Sequence, residues 1–212
     1  MKSQDILVLL KLVSLHRVLR RLEQPAPSRA LPMDWEGWEV TETEAWFADD
    51  AMEQAFVDRF TTRGLEAALG LSKSEVSKAI TRSAELELAI KDRKTGYPKT
   101  NTATLLEFIR HGLKYVFPAR PGPMVRGIPT AAAAPVLEGE LASPGQFIHV
   151  WADPLGKEMG QQITPIYKSV PYAVRRDGDL YAMLALVDAI RLGKPREAAV
   201  AGKLLERALT VE

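Results

Sequence analysis

Residues 62–82, TRGLEAALGLSKSEVSKAITR, constrain the fold of this chain more than any other stretch. Gly70 stands between two short segments, where a residue without a Cβ atom can take the left-handed conformation of a tight turn. Ser72 and Glu75 have the spacing of a capping box, which predicts that a helix begins directly after this turn. Apolar residues recur at helical spacing on both sides of Gly70, at Leu65, Ala68, Leu69, Val76, Ala79 and Ile80. The stretch therefore predicts a helix-turn-helix.

The second helix, a candidate recognition helix over about residues 73–86, would carry hydroxyls and cations on its outer face. These are Ser72, Lys73, Ser74, Ser77, Lys78, Thr81 and Arg82. Such side chains can reach base edges in the DNA major groove and the phosphates beside it. Glu66 departs from the pattern, because DNA-binding corners of this type usually have a small residue four positions before the turn glycine. An ordinary helical corner with a solvated basic face therefore remains an alternative.

Residues 88–100 predict a two-stranded wing directly after this helix, with its turn at Thr95 and Gly96. The cations of the wing are Lys91, Arg93, Lys94 and Lys99. From Lys73 to Lys99 there are seven basic and four acidic residues, whereas the whole chain has 28 basic and 27 acidic residues and a net charge of +1. We therefore expect this segment to be the part that meets phosphates of duplex DNA.

Length and composition exclude several classes of protein. The chain has 212 residues, 46% of them hydrophobic, which is enough for a substantial core. It has no cysteine, which excludes disulfides, thiolate metal sites and a cysteine nucleophile and fits a reducing compartment. No segment approaches the roughly 20 apolar residues of a membrane span, and the basic N-terminal stretch lacks a signal-peptide cleavage site. We expect a cytoplasmic protein without a membrane partner.

Signals for an enzyme are weak. His16, His111 and His149 are scattered and lack the spacing of metal ligands. The chain has no glycine-rich phosphate-binding loop. We therefore expect no catalytic residues, no cofactor and no metal site.

One basic cluster leaves two interpretations open. Arg110 and Lys114 would share a helix face, and together with Arg120 and Arg126 they could form an anion pocket. Alternatively, Arg126 and Gly127 could pin the proline-rich arm that begins at about residue 118 to the domain through hydrogen bonds to backbone carbonyls.

An acidic, aromatic insertion is predicted at about residues 25–60. Asp34 to Asp58 contains nine acidic residues and no lysine or arginine. Large apolar side chains recur within this acidic stretch and just after it, at Trp35, Trp38, Trp46, Phe47, Met52, Phe56 and Phe60. We interpret these mainly as core residues, with residues 43–60 as a helix. The alternatives are a surface for a protein partner at residues 34–60 and an acidic mimic that lies over the basic wing.

The first helix, predicted over about residues 3–23, is apolar on more than one side. One face would pack on the helix-turn-helix and the other on a second protomer. A second apolar stripe, from Leu180 to Leu209, would join it at the two-fold axis of a homodimer.

The composition of the chain changes at about residue 118, where a proline-rich segment begins. A helix is expected from Asn101 or Thr102 to Phe117, with Leu105, Leu106, Phe108, Ile109, Leu113 and Val116 facing inward. Nine of the fourteen prolines lie between Pro118 and Pro171. Within this proline-rich arm, residues 147–151 and 158–163 predict a β-hairpin, and helices follow from Asp177 and from Pro195. We therefore predict an α+β, mostly helical chain. Its parts would be a winged helix-turn-helix domain at 1–117 and an arm with C-terminal helices at 118–212.

Several longer motifs resemble a bacterial family of small winged helix-turn-helix proteins that are commonly labelled MarR-like transcriptional regulators. The motifs are MKSQDILVLLKLVSL, LGLSKSEVSKAI, LLEFIRHGLKYVFPARPGPMVRGIPTAAAAP and HVWADPLGKEMGQQITPIYKSVP. The resemblance covers residues 1–16 and residues 62 to the end. It implies DNA binding by Ser72 to Arg82 and the wing, and an intracellular location, but neither an enzyme nor a known ligand.

The sequence thus predicts a transcriptional regulator that binds duplex DNA sequence-specifically. An antitoxin or adaptor-type interaction module of a defence or toxin system is the alternative.

Overall fold

The structure is a computed structural model that describes residues 1–23, 35, 38, 56–93, 95–141 and 147–210. As predicted, the chain is α+β and mostly helical. Its helices are α1 Ser3–Glu23, α2 Thr62–Leu69, α3 Lys73–Glu85, α4 Thr102–His111, α5 Leu113–Val116, α6 Val170–Val174, α7 Gly178–Leu192 and α8 Pro195–Leu209. Its strands are β1 Ala89–Lys91, β2 Pro98–Thr100, β3 Pro121–Thr130, β4 His149–Ala152 and β5 Glu158–Ile163.

The corner between α2 and α3 has the local geometry that its sequence predicts. Gly70 has φ 61°, in the left-handed region, and its N–H donates to the carbonyl oxygen of Glu66. Ser72 caps α3, and Ser72 and Glu75 form both bonds of the capping box. The chain therefore leaves α2 at Leu69 and enters α3 at Lys73, with only three residues between them.

Helix α1 is buried on nearly all sides. The residues from Ile6 to Val13 are at most 8% exposed, including Lys11, and Leu15 is 2% exposed. Helix α3 and strand β2 pack on α1, and so does α7 from the C-terminal half. The prediction that the apolar surplus of α1 faces a second protomer is therefore wrong, because other parts of the same chain cover it.

The predicted terminal stripe is also part of the core, since Leu180, Leu184 and Leu205 are at most 1% exposed. One hydrophobic cluster of the described residues contains residues from α1, α4 and α7. The proposed boundary at residues 117 and 118 thus does not separate two cores. A homodimer would need a different surface from the one assigned to it.

The helix predicted up to Phe117 is interrupted at Gly112, which separates α4 from α5. Glycine is a poor helix former, which favours a break at this position. Leu105, Ile109 and Leu113 are buried as predicted. Val116, which was predicted to face inward, is 53% exposed.

The strands of the proline-rich arm form a small closed barrel of β3, β4 and β5 instead of the predicted hairpin. Strands β4 and β5 each pair antiparallel with β3 and run parallel to each other. Gly127 is opposite both Ala152 of β4 and Glu158 of β5. The turn between β4 and β5 therefore crosses over β3 at Gly127 rather than folding back beside β4.

Two glycines make this crossing possible. A Cβ atom on Gly156 would overlap the backbone of Gly127, and one on Gly127 would overlap the carbonyl oxygen of Trp151. Backbone can thus approach backbone only because neither residue has a side chain.

Replacing Gly127 with alanine is expected to lower the free energy of unfolding by about 1–3 kcal/mol, the usual cost of forcing extra atoms into a packed interior. The clashing atom belongs to the main chain and cannot rotate away. Gly122→Ala in the same strand is the matched control, because its new Cβ would lie 3.4 Å from the carbonyl oxygen of Gln162, an ordinary contact. Urea unfolding compares the two variants. Equal stabilities would contradict a close crossing at Gly127.

Candidate nucleic-acid interface

Helix α3 has one buried side and one exposed side. Val76, Ala79 and Ser83 are buried. The exposed residues at the start and on the far side of the helix are Ser72, Lys73, Ser74, Ser77, Lys78 and Thr81, which we call the α3 outer face. Six of the seven side chains predicted for this helix therefore lie together on one accessible surface.

Some polar groups of the α3 outer face are already used within the helix. The Ser72 hydroxyl takes part in the capping box, and the Thr81 hydroxyl donates to the carbonyl oxygen of Ser77 at 3.1 Å. The ammonium groups of Lys73 and Lys78 form no ion pair with a described acidic residue. These two lysines and the Ser77 hydroxyl are thus the groups best placed to meet a ligand.

Arg82, the seventh predicted residue, does not belong to this face. Its Nε donates to Asp5 Oδ2 at 3.1 Å and its Nη2 donates to Asp5 Oδ1 at 2.5 Å. The hydrogen bond to Asp5 raises the pKa of the guanidinium. Asp5 is fully buried in the first turn of α1. The prediction that Arg82 is available to DNA is therefore wrong, since this residue holds α3 against α1.

Glu66 occupies the position where DNA-binding corners usually have a small residue, and its carboxylate takes part in the turn between α2 and α3. Its Oε1 accepts the backbone N–H of Lys73 at 3.2 Å. This N–H belongs to the first turn of α3, where backbone donors have no partner within the helix. Glu66 thus stabilises the start of α3 from α2, which a small residue could not do.

Strands β1 and β2 form a short antiparallel hairpin in which Ile90 is opposite Lys99. The turn contains Gly96 with φ 74°, at the predicted position. Lys91 and Arg93 are exposed. Lys99 is only partly exposed and its Nζ lies 3.3 Å from Asp92 Oδ2, so it is not the free phosphate contact that was predicted. Lys94 lies outside the described residues.

The hairpin is fixed to α1 by contacts that the sequence did not reveal. The ring of Tyr97 stacks on Phe60 with centroids 4.9 Å apart, and Phe60 forms a T-shaped contact with His16 of α1. The Thr100 hydroxyl donates to the carbonyl oxygen of Leu9 at 2.7 Å. Burial lowers the pKa of His16, so this buried ring favours its neutral form. Helix α3 and the hairpin are thus both held on α1.

The aromatic residues of the insertion pack inward where the structure describes them. Phe56 and Phe60 are buried. Trp35 and Trp38 pack edge-on against Tyr181 of α7, with centroids 5.7 and 5.1 Å away. These two tryptophans are therefore core contacts rather than free anchors for a partner protein. Trp46, Phe47 and Met52 lie outside the described residues.

The alternative anion pocket is not formed by the arginines proposed for it. Arg110 donates to the carbonyl oxygen of Gly202 at 2.9 Å and pairs with Glu206 at 2.7 Å, which fastens α4 to α8. Arg126 donates to the carbonyl oxygen of Gly156 at 3.1 Å. Arg126 therefore binds a backbone carbonyl, but Gly156 belongs to the arm itself, so this bond does not hold the arm to the domain as the second interpretation expected.

The histidines have three different environments. Besides the buried His16, His149 at the start of β4 is partly buried, and burial lowers its pKa. His111 is exposed and lies 3.5 Å from Glu107. Within the described ranges, no group of three His, Asp or Glu side chains is placed to hold a metal ion.

Comparisons with protein-family models, curated proteins and solved structures find no match for this chain. Among the helices of the described residues, none is long and apolar enough to cross a bilayer. Function therefore has to be inferred from the geometry of the α3 outer face and the β1–β2 hairpin.

Proposed function

We propose that this chain is a winged helix-turn-helix protein that binds duplex DNA through the α3 outer face and regulates transcription. The proposal rests on the surroundings of helix α3. One side of α3 exposes lysines and serines to solvent, and its other sides are fixed to the rest of the chain. An α-helix fits the DNA major groove, and these side chains can bond both base edges and phosphates.

The contacts that fix α3 support this role, because a recognition helix has to keep a fixed orientation relative to the DNA. Arg82 binds Asp5 of α1, and the Tyr167 hydroxyl donates to Glu75 at 3.0 Å. Val76 and Ala79 are fully buried against the rest of the chain. Little conformational freedom is therefore lost when the α3 outer face meets a ligand.

The β1–β2 hairpin supports the same function. It follows α3 directly, is fixed to α1, and presents Lys91 and Arg93 to solvent. Cations in this position would contact the sugar-phosphate backbone beside the groove and add affinity without reading sequence.

Fluorescence anisotropy tests the proposal with two labelled duplexes, one from the region upstream of the gene and one of random sequence. Affinity should fall as salt rises, because each phosphate contact releases counterions. Lys78→Ala should weaken binding to the specific duplex by roughly 1–3 kcal/mol, about fivefold to 150-fold, because its ammonium no longer bonds a base. Arg93→Ala should weaken binding to both duplexes equally.

Lys203→Ala is the matched control, because it also removes an exposed lysine from a helix, but from α8. It should bind both duplexes like the unmodified chain. No binding to either duplex at low salt would refute the proposal, and so would a Lys78→Ala variant that binds like the control.

A further inference from the structure

The α3 outer face has a central row of side chains, formed by Ser74, Ser77, Lys78 and Thr81. These residues are three or four positions apart, so they are neighbours on the helix surface. Each residue of an α-helix is turned by about 100° from the one before, which places the central row opposite the buried side of α3. Lys73 lies at the edge of the row. The central row is therefore the part of α3 that would reach furthest into a groove.

Lys78 carries the only charge in the central row. The residue is exposed, and its ammonium forms no ion pair with a described acidic residue. An ammonium group has three N–H donors and no acceptor. The Thr81 hydroxyl already donates its hydrogen to the carbonyl oxygen of Ser77. The long side chain of this row can therefore bind only hydrogen-bond acceptors.

Long side chains that could accept hydrogen bonds from a base are missing from this part of α3. Residues 72–81 contain no Asn, Gln or Asp, and Glu75 is their only carboxylate. Glu75 Oε2 accepts from the backbone N–H and the hydroxyl of Ser72, at 3.0 and 2.8 Å. Its Oε1 accepts from the Tyr167 hydroxyl at 3.0 Å. The carboxylate of Glu75 is thus used within the chain.

Contacts from the C-terminal half of the chain fix the corner on which Lys78 is carried. Besides the bond from Tyr167 to α3, the Tyr172 hydroxyl donates to the carbonyl oxygen of Ala67 in α2 at 2.9 Å. Both helices of the corner are therefore held by the same segment. A fixed corner can bring Lys78 to the same base position each time the duplex binds.

The end of α3 is less suited to a groove. Glu85, its last residue, and Glu87 just beyond it are exposed. Their charges would be repelled by the phosphates. Recognition helices generally contact base edges with their N-terminal residues. The central row would accordingly face the bases while the end of α3 points away from them.

The base edges of the major groove differ in the acceptors that they offer to an ammonium. Guanine has two acceptors side by side, O6 and N7. Adenine combines one acceptor with a donor, thymine has one acceptor beside a methyl group, and cytosine has a donor. A group that only donates hydrogen bonds is therefore best matched by guanine.

We infer that Lys78 determines the sequence specificity of α3 by binding O6 and N7 of a guanine in the major groove. The preferred duplex then contains a guanine that faces the middle of α3. This inference rests on the proposed function and names the base that the α3 outer face recognises.

Selection from a library of random duplexes, followed by anisotropy titrations of the full chain, tests this contact. Each guanine of the selected site is replaced in turn by 7-deazaguanine, which lacks the N7 acceptor. At the contacted position this change should weaken binding by about tenfold, the contribution of one hydrogen bond to a charged group. Inosine at the same position is the control, because it keeps O6 and N7 and lacks only the amino group in the minor groove. It should bind like guanine.

Lys78→Ala should bind the guanine and 7-deazaguanine duplexes equally, because the donor that distinguishes them is gone. The readout is the ratio of the two affinities, so the general loss from a removed charge cancels. Lys203→Ala on α8 should keep the ratio of the unmodified chain.

Selected sites without a common guanine would overturn this inference. A Lys78→Ala variant that still distinguishes 7-deazaguanine, or an unmodified chain that does not, would overturn it as well. If Lys78→Ala nevertheless weakened binding to the selected duplex, the proposed function would stand. Failure of the unmodified chain to bind any duplex would overturn both.

Discussion

Replacing Arg82 with alanine is expected to lower the free energy of unfolding by about 3 kcal/mol. The change leaves the carboxylate of Asp5, which is 0% exposed, without the guanidinium that binds both its oxygens. Removing one partner of a buried ion pair typically costs about 3–5 kcal/mol, because the remaining charge is uncompensated. The Arg82 side chain is 24% exposed, which places the expected loss at the lower end of that range.

Urea unfolding of three further variants checks this explanation. Lys78→Ala, on the same helix but in solvent, should change stability by less than about 0.5 kcal/mol. Arg82→Lys keeps the charge but cannot bind both oxygens, so it should lose less than Arg82→Ala. Asp5→Ala combined with Arg82→Ala leaves no buried charge and should be more stable than Arg82→Ala alone. An Arg82→Ala variant as stable as Lys78→Ala would contradict the positioning role.

The largest loss of stability, about 3–5 kcal/mol, is expected for Asp188→Ala. The Asp188 carboxylate accepts hydrogen bonds from Trp151 Nε1 at 2.6 Å, the Thr130 hydroxyl at 3.1 Å and Arg191 Nη1 at 2.5 Å. The side chains of Asp188 and Arg191 are 2% and 3% exposed. Burial raises the pKa of the carboxyl, and the charge of Arg191 with the three bonds opposes that rise. Alanine would leave a buried cation and two donors without their acceptor.

Asp188→Leu combined with Arg191→Met tests whether the uncompensated charge causes the loss. Removing both charges should recover much of the stability, because apolar side chains can replace a buried pair. Some loss should persist, since Arg191 Nε also donates to the carbonyl oxygen of Phe117 at 2.9 Å. Urea unfolding followed by far-ultraviolet circular dichroism compares the double variant with Asp188→Ala and the unmodified chain. A double variant no more stable than Asp188→Ala would contradict this account.

The parts of the candidate site that depend on neighbouring residues could be predicted from the sequence. Gly70, the capping box of Ser72 and Glu75, and the buried Val76 and Ala79 all occur as expected. Each of these features joins residues that are at most a few positions apart. Local bonding and helical periodicity are therefore sufficient to define this corner and its outer face.

Residues of the site with distant partners could not be predicted in the same way. On a helical wheel Arg82 lies at the edge of the α3 outer face, and only its contact with Asp5, 77 positions earlier, shows that it is not available. Lys99 is similarly held by Asp92 across the hairpin. The attachments through Tyr167 and Tyr172 join segments 92 and 105 residues apart. No local pattern in the sequence specifies such pairs.

The sequence alone determined the α+β, mostly helical class, the corner at Gly70 and the exposed lysines of α3. These features could be predicted because helical periodicity and capping act over short distances along the chain. Only the tertiary structure decided which apolar faces meet within the chain, so that α1 is covered by α7 rather than by a second protomer. It also decided the strand pairing, because β4 and β5 find their shared partner in β3, and the close approach at Gly127 allows the crossing. Burial of apolar surface is non-directional. The spacing of apolar residues along a helix or strand therefore marks the face that is buried, but it does not identify the segment that covers that face.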